Sequence, residues 1–311
     1  MGRMAPPRDG AGPKGNGAGR GPLRALVTGG SGFIGQHVAA ALTRRGDFVR
    51  VLDLHRPSNV PSAEFVEGSI ADRDIVRRAM RDMDCVYHLA AISHLWTADR
   101  RDYHRVNHVG TQIALAAAAE MGVSRFVHCS TEAILLPPNG RGADHAARLD
   151  DMAGDYTRSK FLAEQAALDA ASKGLPVVVV NPTATIGPGD HNFTPPTAML
   201  SMFARHPPML VLDGLLNLVN VRDVADGMLL AEARGRIGER YILDGENIGV
   251  RDLLQRIGRL SGRRTTSYPL PKALALAAAM VAERFCEHHQ PPQPDRHRRR
   301  RAADAAIHSA Q

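Results

Sequence analysis

Near its start the chain passes from a short apolar run, Ala25–Thr28, straight into Gly29-Gly30-Ser31-Gly32-Phe33-Ile34-Gly35 and on into a helix-patterned stretch, Ile34–Arg45. Few local sequences leave a backbone so little choice. Gly29 permits a tight turn after a strand, and Gly32 lets backbone N–H groups approach a pyrophosphate. Gly35 lets helix and strand pack closely, and the amino end of the helix supplies partial positive charge for phosphates. Phe33 and Ile34, in the same turn, are counted among the cofactor contacts. Asp53 ends the next apolar run, 18 residues beyond Gly35. A carboxylate there can accept hydrogen bonds from the ribose hydroxyls of a dinucleotide while repelling a 2′-phosphate. The expectation is dinucleotide binding, with NAD preferred to NADP. Arg56 is the basic neighbour that could accommodate the phosphate instead.

The rest of the chain extends the same pattern. Short apolar runs at Phe48–Leu52, Cys85–Leu89, Arg125–Cys129 and Pro176–Val180 alternate with helix-patterned stretches at Asp74–Met83, Val109–Met121 and Thr157–Ser172. Nearly continuous apolar strands between helices predict an α/β fold, a doubly wound parallel sheet covered on both faces. Ligands of such sheets bind at the carboxyl ends of the strands. The organisation read from the pattern is a disordered Gly/Pro-rich extension over residues 1–22 and a dinucleotide-binding domain over 23–189. Residues 216–247 return to that domain through a strand–helix unit (Leu216–Glu232) and a strand (Arg240–Leu243). A small substrate lobe is expected from 190–215 and 248–286, closing over the crevice, with Met199 and Met202 as core filler. Residues 287–311 form an atypical basic tail.

Charge argues against a nucleic-acid partner. The formal net charge is +7. Residues 1–24 hold five Lys/Arg against one Asp and residues 287–311 five Arg against three acids, so the excess sits in two ends and not on a folded face. The longest apolar run, residues 273–282, is too short to span a bilayer, and no secretory signal pattern opens the chain. Cys85, Cys129 and Cys286 form no C-x-x-C pair, which fits a reducing compartment and a cytoplasmic location. His288, His289 and His297 lack fixed ligand spacing, so no metal is expected. Trp96 could stack on a substrate ring or cap the second lobe, and His94 reads as polar pocket lining.

Tyr156-Thr157-Arg158-Ser159-Lys160 places Tyr156 and Lys160 four apart on one helix face. A phenol with a pKa of about 10 is a poor base near neutrality. An adjacent ammonium and an oxidised nicotinamide both favour the phenolate. The strand at Arg125–Cys129 delivers Ser130 and Thr131 to the carboxyl edge of the sheet, 25 residues before the Tyr156 helix.

Thr28-Gly29-x-x-Gly32-x-x-Gly35 together with Thr131, Tyr156 and Lys160 resembles the extended short-chain dehydrogenase/reductases, the NAD-dependent epimerase/dehydratase form of that superfamily. The resemblance covers about residues 23–286 and implies a Rossmann fold. It implies Thr131, Tyr156 and Lys160 as catalytic residues, with Ser130, Tyr156 and Lys160 also lining the cofactor. His88-Leu89-Ala90-Ala91 is similar to the family's strand end over the adenosine, which adds Leu89, Ala90 and Ala91 as cofactor contacts. Val106-Asn107-His108-Val109-Gly110-Thr111 is similar to its V-N-x-x-G-T helix, with Asn107 at the strand edge. Asn181-Pro182-Thr183 is similar to the loop along the nicotinamide, with Pro182 in contact. Val221-Arg222-Asp223-Val224-Ala225 is similar to a later helix start. Ser69 stands where the family usually has Asp beside the adenine.

Further matches at Ser93-His94-Leu95-Trp96, Leu149-Asp150-Asp151-Met152, Ser159–Glu164 and Gly235–Leu243 resemble the hopanoid-associated sugar-epimerase branch, which borders dihydroflavonol-reductase-like and hydroxysteroid-dehydrogenase-like enzymes. That resemblance implies epimerisation of a (nucleotide-)sugar through a transient ketone. The alternatives are a ketone reductase or alcohol dehydrogenase on a polycyclic small molecule and, in another class, a non-catalytic NAD-binding scaffold. It also implies a homodimer formed through the helices at Val109–Met121 and Thr157–Ser172. From about Gln290 the Pro/Gln/Arg/Ala composition departs from the family's helical end and has the character of out-of-frame GC-rich coding sequence.

Overall fold

The computed structural model of the chain describes residues 2–3, 21–57, 60–94, 97, 99–135, 147–206, 210–212, 214–262 and 267–271. Trp96, Cys286, His288, His289, His297 and the basic tail lie outside the described residues. Eight parallel strands form the main sheet: β1 (Gly2–Arg3), β2 (Arg24–Thr28), β3 (Phe48–Asp53), β4 (Glu64–Glu67), β5 (Cys85–His88), β6 (Arg125–Cys129), β7 (Val177–Pro182) and β11 (Arg240–Leu243). Their order is β1-β11-β7-β6-β5-β2-β3-β4. The chain builds outward in one direction through β3 and β4, then restarts on the other side of β2 with β5. The strand order therefore reverses between β2 and β5, which makes their carboxyl ends the natural crevice of this doubly wound sheet.

The strands are apolar because both faces are covered. Val177, Val178, Val179 and Val180 are all fully buried, alternate side chains entering opposite cores. Between the strands run α1 (Phe33–Arg45), α2 (Arg73–Met80), α3 (Gly110–Met121), α4 (Asp155–Ser172) and, before β11, α6 (Val221–Arg234). Gly46 ends α1 in the left-handed region at φ 92°, its N–H returning to the carbonyls of Leu42 and Thr43. Asp72 caps α2, accepting from the amides of Asp74 and Ile75. That helix stops at Met80, short of the expected Met83, because Arg81 is extended and Asp82 sits at φ 62°.

Gly2 and Arg3, from the stretch read as an unstructured extension, lie parallel to Tyr241 and Ile242 and extend the sheet beyond β11. An open edge offers unpaired backbone groups to any passing segment. A second sheet joins β8 (Ala184–Ile186), β10 (Leu215–Asn220) and β12 (Glu246–Gly249), with β10 parallel to β8 and antiparallel to β12. α5 (Pro195–Arg205) buries Phe203, and Met202, expected in a core, is 51% exposed. The helical spacing gave Met202 the right period, but the neighbouring Phe203 takes the inward position.

The chain divides into two compact units, one of Met1–His206 with Leu215–Gly249, the other of Pro207–Gly214 with Val250–Gln311. Within the second, β9 (Leu210–Val211) pairs in parallel with β13 (Tyr268–Pro269), and α7 (Val250–Ser261) buries Leu253 and Leu254. Among the described residues no helix is long and apolar enough to cross a membrane.

One ion pair locks a helix onto the sheet. Glu164 of α4, fully buried, accepts from Arg240 Nε of β11 at 2.5 Å and from Asn181 Nδ2 of β7 at 2.7 Å. Glu164→Ala strands both donors. Arg240 keeps a third of its side chain in solvent, so the expected loss lies below that of a fully buried pair, at about 2 to 3 kcal/mol. Denaturant titration of the variant against the parent measures it.

Candidate active site

The glycine turn is shaped by close approaches. Gly29 has φ +70°, and a Cβ there would sit 2.7 Å from the Ala90 amide nitrogen. A Cβ on Gly35 would run into the Gly29 carbonyl. The strand-end segment Leu89–Ala90 is thereby pressed against the turn, and Thr28 Oγ1 accepts from the Ala90 amide at 3.3 Å. Gly32 caps α1 with no side-chain hydrogen bond, and no acid lies in the first turn. The first amides of α1, those of Phe33 and Ile34, therefore face no competing carboxylate. Phe33 is itself buried, its ring edge-on to His37.

Across the turn the Asp53 carboxylate accepts from the Ser31 amide at 2.9 Å and the Leu54 amide at 2.7 Å. Its remaining lone pairs are available to a diol. Arg56 lies with its guanidinium 4.9 Å over the Phe65 ring. Ser69 Oγ is engaged locally by the Ala71 amide. Glycines that admit no side chain, a helix start whose first amides have no partner among the described residues and a half-buried carboxylate at the end of β3 together fit a dinucleotide.

The second half of the site gathers on β6, α4 and β7. Ser130 and Thr131 follow β6. The Ser130 hydroxyl is buried and lacks a hydrogen-bond partner among the described residues. Thr131 caps a short 3-10 turn, Glu132–Ile134, accepting from the Ala133 amide at 3.3 Å, and its hydroxyl donates to Glu132 Oε2 at 3.1 Å. Tyr156 and Lys160 share one face of α4. Lys160 is buried and donates from Nζ to the Cys129 carbonyl at 2.7 Å. Burial pushes its pKa down, against the raising influence of Cys129 and then Glu164.

Burial also dominates Tyr156 and lifts its phenol above the ordinary value. A hydrogen bond with Thr131 works the other way, and Cys129, Glu132 and Tyr103 add to the rise. The sequence reading expected a phenol brought down by Lys160; in the structure desolvation outweighs any such help.

Two asparagines hold these parts in place. Asn181, fully buried at the end of β7 beside Pro182, donates to the Thr131 carbonyl at 3.1 Å as well as to Glu164. Asn107 accepts from the Ile92 amide at 2.7 Å and donates to the Ile92 carbonyl and to Ser159 Oγ. Both ends of the Asn107 amide are thus spent on joining the segment after Ala91 to α4. A π-helical turn, Tyr103–Val109, carries Asn107. Tyr103 from the same turn donates to the His94 carbonyl at 2.6 Å and lies edge-on to Tyr156, 6.4 Å between ring centres. Sequence reasoning missed Tyr103 and Glu132. Only the adjacency of Glu132 to Thr131 could have drawn attention to it.

Beneath the site two histidines are neutral. His88 bridges Thr28 Oγ1 and Thr111 Oγ1 at 2.8 and 2.9 Å. Burial, with Lys160 as the smaller cause, brings its pKa down to about 3 from 6.5. His128, stacked on His88, is depressed by burial, Lys160 and His88. Groups whose folded pKa is lowered contribute stability above the unfolded value and lose it as pH falls toward the folded one. The His88 contribution should therefore be lost as pH falls from 6.5 toward 3, at about 1.4 kcal/mol per pH unit, and His128 acts in the same direction. His88→Gln removes one contribution, and unfolding midpoints measured across that range should show the shallower slope.

Comparison with known proteins places this geometry. The model of the NAD-dependent epimerase/dehydratase family matches residues 25–243. A dihydroflavonol 4-reductase-like protein of Synechocystis is 36% identical over 270 residues, covering 83% of this chain and 78% of the relative. A 4-hydroxy-2-methyl-3-oxo-4-farnesyl-3,4-dihydroquinoline-1-oxide ketoreductase of Stigmatella aurantiaca is 33% identical over 274 residues, covering 84% and 80%. Among solved structures, a UDP-glucose 4-epimerase of Thermus thermophilus in complex with NAD superposes with a TM-score of 0.67 at 27% identity, covering 80% of this chain and 86% of that one.

Proposed function

The chain belongs to the NAD-dependent epimerase/dehydratase family, and from that premise we propose that it interconverts a secondary alcohol and a ketone as a net dehydrogenase or ketone reductase. The observation that carries the proposal is the meeting of Thr131, Tyr156 and Lys160 where β6 ends against α4. NAD held on the glycine turn supplies the hydride acceptor, or in reduced form the donor. Tyr156 exchanges the proton of the reacting oxygen. The Thr131 hydroxyl favours the phenolate form of Tyr156. Lys160 spends one N–H on the Cys129 carbonyl and has two left for the nicotinamide ribose. Asn181 and Asn107 keep β6, α4 and the Ile92 segment in register around these groups.

A fused-ring ketone is the substrate class best supported, because two of the relatives above 30% identity are named for reductases of such compounds. Epimerisation of a nucleotide sugar, first in the sequence reading, is the second reading, supported by the likeness to the solved UDP-glucose epimerase. The two differ in where the hydride ends. A reductase consumes reduced nicotinamide in step with ketone and releases cofactor each cycle; an epimerase retains it and turns over without addition. A homodimer through α3 and α4 remains part of the proposal, and light scattering checks it.

Two measurements bear directly on the site. Tyr156→Phe should lower kcat by about 10²-fold or more while leaving NAD affinity unchanged. Full activity in that variant would overturn the proton-transfer role of Tyr156. Asp53 facing a 2′-phosphate with like charge should make NAD bind more tightly than NADP, and Asp53→Ser should narrow the ratio by about tenfold. Fluorescence titration with both cofactors reads it, and equal affinities in the parent would mean that Arg56 outweighs Asp53.

A further inference from the structure

We infer that His104 and His108, on the π-helical turn Tyr103–Val109, form a two-imidazole site for a borderline divalent cation such as Zn²⁺ or Ni²⁺. The inference does not rest on the alcohol–ketone reading above and stands or falls without it. The histidines set aside in the sequence reading were those of the tail; this pair sits on a described element.

The stretch His104-Arg105-Val106-Asn107-His108 spaces two imidazoles four residues apart. The π-helical turn brings them together: the ring centres are 4.9 Å apart, the ring planes stand at 79°, and His104 Nε2 lies 3.1 Å from His108 Nδ1. A Zn–N bond is about 2.0 to 2.1 Å, so two nitrogens on one cation stand about 2.9 Å apart at a right angle and about 3.4 Å at the tetrahedral angle. The observed separation falls between these limits. His108 is half-buried and His104 exposed. One ligand is therefore anchored, while the other can turn its ring until both lone pairs converge on one ion. Water fills the remaining positions, which makes the site open and weaker than a closed four-ligand one.

Charge and protonation suit a cation. Metal ligation needs neutral imidazole. Burial, and then the neighbouring His104, lower the pKa of His108, so its neutral form prevails near neutrality. Between two neutral rings at this distance one facing nitrogen carries a proton and the other accepts it. An entering cation displaces that proton, which ends on the outer nitrogen of the same ring; the tautomer changes and no net proton is lost. Arg100, Arg101 and Arg105 of the same stretch are paired with Asp155, Asp99 and Asp102 respectively, so the local cationic charge is already countered. Two nitrogen ligands favour borderline metals over Mg²⁺ and Ca²⁺, which take oxygen.

The position of the pair gives the site a consequence. The two histidines bracket Asn107, whose amide joins Ile92 to Ser159, and they follow Tyr103, whose ring lies edge-on to Tyr156. π-Helical turns are rare and occur frequently at functional sites. A cation held by residues 104 and 108 cross-links the turn that carries both supports. An ion that binds the folded turn and not the unfolded chain stabilises it by mass action.

The test uses the full, tag-free chain, freed of metal by chelator, beside His104→Gln, His108→Gln and the double variant. Zn²⁺, Ni²⁺ and Mg²⁺ are titrated separately, and amide hydrogen exchange across residues 103–109 is followed with the thermal midpoint. In the parent, Zn²⁺ and Ni²⁺ should slow exchange across the turn and raise the midpoint, and Mg²⁺ should do neither. Each single variant should need at least about tenfold more metal for the same protection, and the double variant should keep its metal-free exchange rate throughout. Glutamine is polar and a good helix former, so the metal-free variants should unfold at the parent's midpoint. The exchange result decides, because the tail histidines also offer imidazoles. Slowed exchange at 103–109 in the double variant, or a midpoint shift in the parent without slowed exchange there, would put the ion elsewhere and overturn the site. Absence of any Zn²⁺ or Ni²⁺ effect on exchange in the parent would overturn it as well.

Discussion

Asn181 holds three parts of the molecule at one point. Its backbone lies next to the last residue of β7, and its side-chain amide donates to the Thr131 carbonyl after β6 and to the Glu164 carboxylate within α4. Glu164 is in turn gripped by Arg240 from β11. A carboxylate buried this deeply is tolerable only with its partners in place. The helix that carries Tyr156 and Lys160 is therefore positioned against two strands by a polar joint centred on a buried carboxylate, where apolar packing alone would permit sliding. The distance between the hydroxyl of Thr131 and the phenol of Tyr156 depends on that joint.

Burial, more than charge, sets the acid–base character of the region. Lys160, Tyr156, His88 and His128 are each displaced from their ordinary pKa with desolvation as the first cause. The displacement favours the neutral form in every case. A site built this way keeps few formal charges before substrate arrives, and the ones it keeps are held by specific partners: the Lys160 ammonium by the Cys129 carbonyl, the Glu132 carboxylate by the Thr131 hydroxyl.

What could be read from the sequence follows from how local each signal is. The glycine turn, β2, β3, β5, β6 and β7 were legible because a buried parallel strand is a short apolar run and a phosphate turn needs its glycines at fixed spacing. Tyr156 and Lys160 were legible as a pair because four residues make one helical turn. β4, half-buried and only four residues long, carries no such run. Asn107 and Asn181 could be noticed as parts of motifs, but their bonds to Ile92, Ser159, Thr131 and Glu164 join segments 15 to 52 residues apart, which no local pattern encodes. The π-helical turn that presents Tyr103 and Asn107 has no compositional signature, and Glu132 looks like any acid opening a short helical turn.

The far side of α1 is tied down as well. Gln36 Nε2 donates to the Gly189 carbonyl at 2.6 Å, and His37 Nε2 lies 2.9 Å from the Pro188 carbonyl. Gln36 and Gly189 are 153 residues apart in the chain, so closing that contact must wait until the intervening strands have assembled. During synthesis the phosphate-facing helix is among the first segments to leave the ribosome and among the last to be fastened. Until residue 189 arrives, α1 rests on its strands alone, and the glycine turn at its tip stays open to the nascent chain's surroundings.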